Sequence, residues 1–204
     1  MNFKFFGKSK KKVVVSTIVI LMLLLLAGGV FLFLNREIKG KPSDYVIRDT
    51  EQGKIIENKR AGFSAKVPDQ WEAKRIEIRE GSVVLTTSTI EGVINNDMVS
   101  PPLSKGCGIE FSVIYKNFTF DDIKEKVKSI HWGLEIESEE FEEVLINGYP
   151  ALKNYVDSKT MSSAISIYIP NRNKLYDFDL YWGSDEKEEC VQEFNKFLET
   201  VVID

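Results

Sequence analysis

Between Val13 and Leu34 the chain runs for 22 residues without a charge or a proline. As a helix rising 1.5 Å per residue, the run is about 33 Å long, enough to cross a hydrocarbon core of about 30 Å. It is apolar on every side, which a small soluble core cannot accommodate. Ser16 and Thr17 are tolerable because a helical hydroxyl can bond a carbonyl one turn back. The expected organisation is a basic tail over 1–12, a transmembrane helix over 13–34, a linker over 35–54 and a folded domain over 55–204.

Five lysines, Lys4, Lys8, Lys10, Lys11 and Lys12, precede the span, and the mixed set Arg36, Glu37, Lys39 and Lys41 follows it. The positive-inside bias puts Met1 in the cytoplasm and everything after Asn35 on the far side. The alternative is a cleaved secretory signal. That needs a shorter apolar region, about 7–15 residues, and a small-x-small site. Phe31-Leu32-Phe33-Leu34 offers no such site, and Ala27-Gly28-Gly29 lacks the cysteine of a lipoprotein box. Under either reading the domain is exported, and as an anchor Val13–Leu34 makes the lipid bilayer a partner.

Five of the 27 basic residues lie before the span and all 31 acidic ones lie after it, leaving the remainder at net −9. That balance argues against nucleic acid and against docking on anionic headgroups. The two cysteines, Cys107 and Cys190, are a disulfide candidate in an oxidising compartment. Two buried free thiols are the alternative, because spacing alone does not bring their Cα atoms together.

Within the domain, Phe63, Ala65 and Val67 alternate on a strand ended by Pro68, and Trp71 follows. Ala73–Arg79 and Val83–Thr87 read as further strands, as do residues 109–115. Tyr45-Val46-Ile47 and 54–57 read as short edge strands. Thr119 is placed to cap a helix with Asp122 as box partner, Phe118 and Ile123 as staple, and Phe120, Ile123, Val127 and Ile130 as buried stripe. Gly133 would stop it. Asn147-Gly148 is a strong hairpin signal between 143–146 and 149–156. Ile165, Ile167 and Ile169, then Tyr176, Phe178, Leu180 and Trp182, alternate with polar residues that include Asp177 and Asp179, as antiparallel strands with one buried face do. A last helix, capped by Asp185, presents Val191, Phe194, Leu198 and Val201 to the sheet. The expected class is α+β, a mostly antiparallel sheet flanked by helices in an αβα sandwich.

Residues 90–106 have no clear period and read as a long loop. Its Asn95, Asn96, Asp97, Met98, Pro101 and Pro102 form a candidate binding surface, with a bland insertion as the alternative.

The stretch Gly62-Phe63-Ser64-Ala65-Lys66-Val67-Pro68-Asp69-Gln70-Trp71 resembles the opening of PsbP/Mog1-like domains, especially bacterial envelope members. The Thr119-capped helix, Asn147-Gly148-Tyr149-Pro150-Ala151, Leu175-Tyr176-Asp177-Phe178 and the terminal amphipathic helix agree with it, so the resemblance spans roughly 55–202. It implies an antiparallel sheet flanked by helices and a non-enzymatic role binding a larger partner. The family includes a photosystem II extrinsic subunit and a small-GTPase-binding protein. This chain departs from the photosystem subunit in its anchor and lacks a docking extension of that kind. The shared motifs are structural, so no site residues carry over.

Catalytic signatures are sparse. His131 is the one histidine, which excludes a His/Cys metal cage, and neither cysteine has an orienting motif for a nucleophile pair. The glutamates at 135, 137, 139, 140, 142 and 143 could bind calcium weakly, but they lack EF-hand spacing and read as a solvated face. No phosphate loop, nucleophile elbow or dinucleotide fingerprint occurs, and no cofactor is expected. Asn117-Phe118-Thr119 matches the glycosylation pattern, with Thr119 already engaged as a cap. The leading expectation is an extracytoplasmic binding or assembly module with a protein partner in the membrane or envelope. The alternatives are a hydrolase using carboxylates from separate strands, and a ligand sensor acting through a membrane partner.

Overall fold

The computed structural model describes residues 21–22, 25–26, 37–76, 82–87, 105–131, 135–158, 163–183 and 186–204. Two units are distinguished, Met1–Glu37 and Ile38–Asp204. In the first, Leu21, Met22, Leu25 and Leu26 are helical and exposed by 59–69%. The rest of the expected span lies outside the described residues. Among those described, no helix is long and apolar enough to cross a membrane.

In the second unit an eight-stranded sheet comprises β1 (Ile38–Lys39) and seven longer strands, β5 (Trp71–Ile76), β6 (Ser82–Thr87), β7 (Cys107–Tyr115), β8 (Ile136–Ile146), β9 (Tyr149–Ser158), β10 (Ala164–Asn171) and β11 (Lys174–Trp182). Their spatial order is β5-β6-β7-β11-β10-β9-β8, and β1 (Ile38–Lys39) pairs with the end of β7. A four-stranded sheet orders β12 (Val202–Ile203), β4 (Phe63–Lys66), β3 (Gly53–Asn58) and β2 (Val46–Thr50). All pairings in both sheets are antiparallel. The helices are α1 (Phe120–Ile130) and α2 (Lys187–Glu199).

The main core lies between one face of the large sheet, α2 and the small sheet. Phe111 and Phe178 on the large sheet meet Phe197 of α2 at centroid distances of 6.2 and 6.1 Å, and Phe63 of β4 lies 5.1 Å from Phe111. On the opposite face, Ile123 and Val127 of α1 pack on Ile114, Leu152 and Leu175. The expected helix-flanked antiparallel sheet is thus observed, with a second sheet added to the α2 side.

Thr119 caps α1 as expected. Its hydroxyl accepts from the Asp122 N–H at 3.2 Å, and the Asp122 carboxylate accepts from the Thr119 N–H at 2.8 Å. Ile130, expected in the buried stripe, is 56% exposed, because α1 ends there with His131 as its C-cap. Gly133 and Asp185 lie outside the described residues. The N-cap of α2 is Glu186, whose carboxylate accepts from the Gly106 N–H instead of capping its own helix.

One expectation needs correction. The segment 35–54 is not a linker throughout: β1 and β2 belong to it, and Tyr45 is fully buried, edge-on to Phe111 at 5.3 Å. Its few apolar residues are dispersed among charges, so no period marks it. The acidic run, expected as a solvated face, is exposed at five of its six glutamates. It is most of β8, an edge strand whose two faces are both largely exposed. Such a strand has no buried face to impose alternation.

Candidate functional site

The strand pattern hides a row of polar groups on the α1 side of the large sheet. Antiparallel register places Glu110 of β7 opposite Asp179 of β11, Asp179 opposite Ser166 of β10, and Ser166 opposite Asn154 of β9. Asp177 lies one step along, opposite Ser112 and Tyr168. Successive even and odd positions of β11 point to opposite faces, so the residues that bury Phe178 also fix both aspartates on this face. The sequence pattern suggests solvent for them. The structure makes both half-buried, because α1 covers part of that face and the polar groups crowd beside it.

Asn154 is 1% exposed and donates to the Glu140 carbonyl at 3.2 Å. The Ser166 hydroxyl donates to Asp179 Oδ1. Asp177 Oδ1 is out of solvent and has no hydrogen-bond partner. Burial pushes the Asp177 carboxyl well above the usual carboxylate range, and the charges of Asp179 and Glu110 add to the shift while Lys126 opposes it. Burial raises Asp179 to about 7; the Ser166 bond opposes that shift and the Glu110 charge reinforces it. Burial and the two aspartates also raise the Tyr168 phenol. Glu110 and Asp179 are directly opposed like charges on neighbouring strands, an unfavourable pairing when both are ionised. The row therefore holds protons near neutral pH, the property an acid–base site needs. Among the described residues, no group of three or more His, Cys, Asp or Glu is arranged to hold a metal ion.

Two open grooves lie elsewhere. One, of about 550 Å³, runs between the Lys66–Trp71 turn and α2, where Glu189, Glu193 and Lys196 face it. Gln70 in that turn takes φ 69°, and the Lys66 N–H donates to Thr200 Oγ1 at 2.9 Å, tying turn to helix. The other, of about 330 Å³, lies between the first turns of α2 and the β8–β9 edge. Neither is lined by the carboxylate row.

Cys107 and Cys190 form a disulfide with Cα atoms 5.5 Å apart, joining the start of β7 to the first turn of α2. Asn95, Asn96, Asp97, Met98, Pro101 and Pro102 lie outside the described residues, so the structure does not bring that candidate loop to a site. Beyond it, Gly106 accepts from the Gly183 N–H at 2.9 Å beside the disulfide. His131, the one histidine, places Nδ1 2.7 Å from Glu139 of β8. Sequence reasoning missed Asp177, Asp179 and Glu110 as a group. The available signal was the need of a second amphipathic helix for a sheet face of its own.

No family model matches the chain, and no curated protein matches it. Among solved structures, it is similar to the cyanobacterial PsbP protein CyanoP of Synechocystis sp. PCC 6803. The identity is 15%, the coverage 74% of this chain and 91% of that one, and the TM-score 0.45. It is also similar to LpqN of Mycobacterium tuberculosis, described as involved in cell envelope biogenesis. Here the identity is 14%, the coverage 85% and 94%, and the TM-score 0.47. A PsbP protein and a cell-envelope protein are thus both structural neighbours. At these scores the likenesses carry no functional conclusion, and the architecture rests on the pairings described above.

Proposed function

We propose that this chain is a single-pass membrane protein of the PsbP/Mog1-like kind. Its folded unit is displayed outside the cytoplasmic membrane as a non-enzymatic binding or assembly module for a membrane or envelope partner. The observation that carries the reading is the Cys107–Cys190 disulfide in a chain that also has the uncharged run Val13–Leu34 behind five lysines. Disulfides persist in oxidising compartments, and the lysines orient the span so that both cysteines lie there. The net −9 of the residues after the span suits a solvated surface and disfavours nucleic acid.

The test is in-cell crosslinking of the anchored chain with mass spectrometry of what it holds, alongside protease accessibility in intact spheroplasts. The expected result is a reproducible membrane or envelope partner and digestion of the folded unit from outside. A folded unit protected from external protease would overturn the topology, and repeated absence of a crosslinked protein would overturn the module.

A second reading, hydrolysis by carboxylates from separate strands, is favoured by one observation: the Glu110–Asp179 pair with Asp179 raised to about 7. It requires substrate access to the row, and the two described grooves open elsewhere. Screening of the purified chain against ester, glycoside and peptide substrates would detect it, with any turnover abolished in Asp179→Asn.

A further inference from the structure

The smaller groove already holds a cation. Lys187, the first residue of α2, places its ammonium 4.6 Å from the Tyr155 ring centroid and 5.7 Å from that of Trp182, and donates to the Tyr155 hydroxyl at 3.2 Å. This is an odd place for a lysine. The first turn of a helix is its positive end, where a cation is disfavoured. Lys187 is exposed and free to extend into water, yet it lies over the rings. What holds it there is the Tyr155 hydroxyl, which accepts from the ammonium, with the two rings beside it adding a weaker attraction.

The surroundings extend that preference beyond Lys187. Glu140 of β8 is the direct cross-strand neighbour of Tyr155, and Glu142 is that of Lys153, to which it is paired at 3.6 Å. Both glutamates are exposed and lie on the same sheet face as the Tyr155 ring. Buried Ile165 and half-buried Val191 supply an apolar floor. The groove thus combines an aromatic hydroxyl, an apolar floor and two glutamates, of which Glu142 is paired with Lys153 and Glu140 faces Tyr155. It is open because the large sheet extends past α2 by the two strands β9 and β8.

We infer that this groove is a docking site for a lysine side chain on an extended segment of a partner protein, and that Lys187 occupies it in the partner's absence. The incoming ammonium takes the place of Lys187 at the Tyr155 hydroxyl, on the sheet face that carries Glu140, its methylenes cover Ile165 and Val191, and Lys187 swings to solvent. Displacement is cheap: an exposed hydrogen bond with a ring beside it is worth about 0.5–1 kcal/mol, a factor of roughly 2–5 in affinity. The inference deepens the proposed module by naming the chemistry of its partner, and it rests on that reading only for the existence of a partner outside the membrane.

The test uses the full-length chain in uncharged maltoside micelles, titrated with an end-blocked tri-lysine peptide at constant ionic strength. It is followed by NMR at the Trp182 indole N–H and the Tyr155 and Val191 amides. The expected result is saturable shifts at these positions. Affinity should rise roughly 2–5-fold in Lys187→Met, which loses the internal competitor, and fall at least as much in Tyr155→Leu. Lys196→Met, on the same helix but facing the other groove, controls for the change in net charge. An equal gain in Lys196→Met, unchanged or weaker binding in Lys187→Met, or shifts spread over the acidic surface would overturn the inference. Lys187 is exposed, so its variant folds even if Tyr155→Leu does not. Failure of this titration leaves the crosslinking and topology results standing, and failure of those leaves the titration standing.

Discussion

Replacing Asp179 with Asn should stabilise the protein, and by more at alkaline than at acid pH. In the fold the Asp179 carboxyl titrates at about 7, against an ordinary 3.8. Its folded form holds a proton more tightly than its unfolded form. The stability it contributes is therefore fully present below the unfolded value, falls as pH rises through the interval, and is lost above about 7. Each tenfold change in proton affinity is about 1.4 kcal/mol, so the full penalty at pH 8 is at most about 4 kcal/mol. Asp177 and Glu110 share the site, and Asp179 is only half-buried, so we expect about 1–3 kcal/mol. Asn removes the charge and keeps an oxygen that can accept from the Ser166 hydroxyl. At pH 4.5 the same linkage leaves only about a quarter of the gain.

The assay is urea and thermal unfolding of wild type and variant at pH 4.5 and 8, with the disulfide intact. One kcal/mol corresponds to about 2–4 °C for a chain of this size, so the variant should melt roughly 3–10 °C higher at pH 8. Glu51→Gln, on an exposed turn, should shift neither value. A gain of equal size at both pH values, or a loss at pH 8, would refute the assignment of a strained carboxylate to this face.

Mutating Cys107 and Cys190 together to Ala should lower stability by about 4 kcal/mol, since the bridge spans 83 residues, and non-reducing mass spectrometry of the exported chain should show the bridge. Asn147→Ala should cost about 2 kcal/mol in urea unfolding, because Asn147 sits at φ 50° and donates to the Leu198 and Val201 carbonyls at 2.8 Å each. Asn147→Gly keeps the backbone freedom and should lose only the bonds, about 1 kcal/mol. Tyr45→Ala should cost about 3–5 kcal/mol by the same measurement, whereas Tyr45→Phe, which keeps the buried ring against Phe111 and loses only the hydroxyl's contact with Asn58, should cost about 1 kcal/mol or less.

Elements whose signal is local were legible. Thr119 and Asp122 close their capping box within one turn, Asn147-Gly148 makes its hairpin with adjacent strands, and the isoleucines of β10 alternate because one face meets the core. Residues defined by distant partners were not. Tyr45 is buried by Phe111, far along the chain, and nothing near it in sequence distinguishes it from a linker tyrosine. Asn147 looks like a turn residue only, while its amide also satisfies carbonyls at the C-terminus of α2, as such termini require. The carboxylate row belongs to the same class. Period two reveals that Asp177 and Asp179 share a face, but the opposition of Asp179 to Glu110 depends on β11 pairing with β7 after an intervening helix and three strands. Tyr155, Trp182 and Lys187 meet from β9, β11 and α2 through the consecutive pairing of β9, β10 and β11 and the return of α2 over that sheet. Structural residues thus announced themselves by spacing, whereas the chemically distinctive ones emerged only from strand order. A sheet whose central strand carries two aspartates accepts an electrostatic penalty that apolar residues would avoid. That makes this face, with the groove beside α2, the place where the fold departs furthest from what stability alone would select.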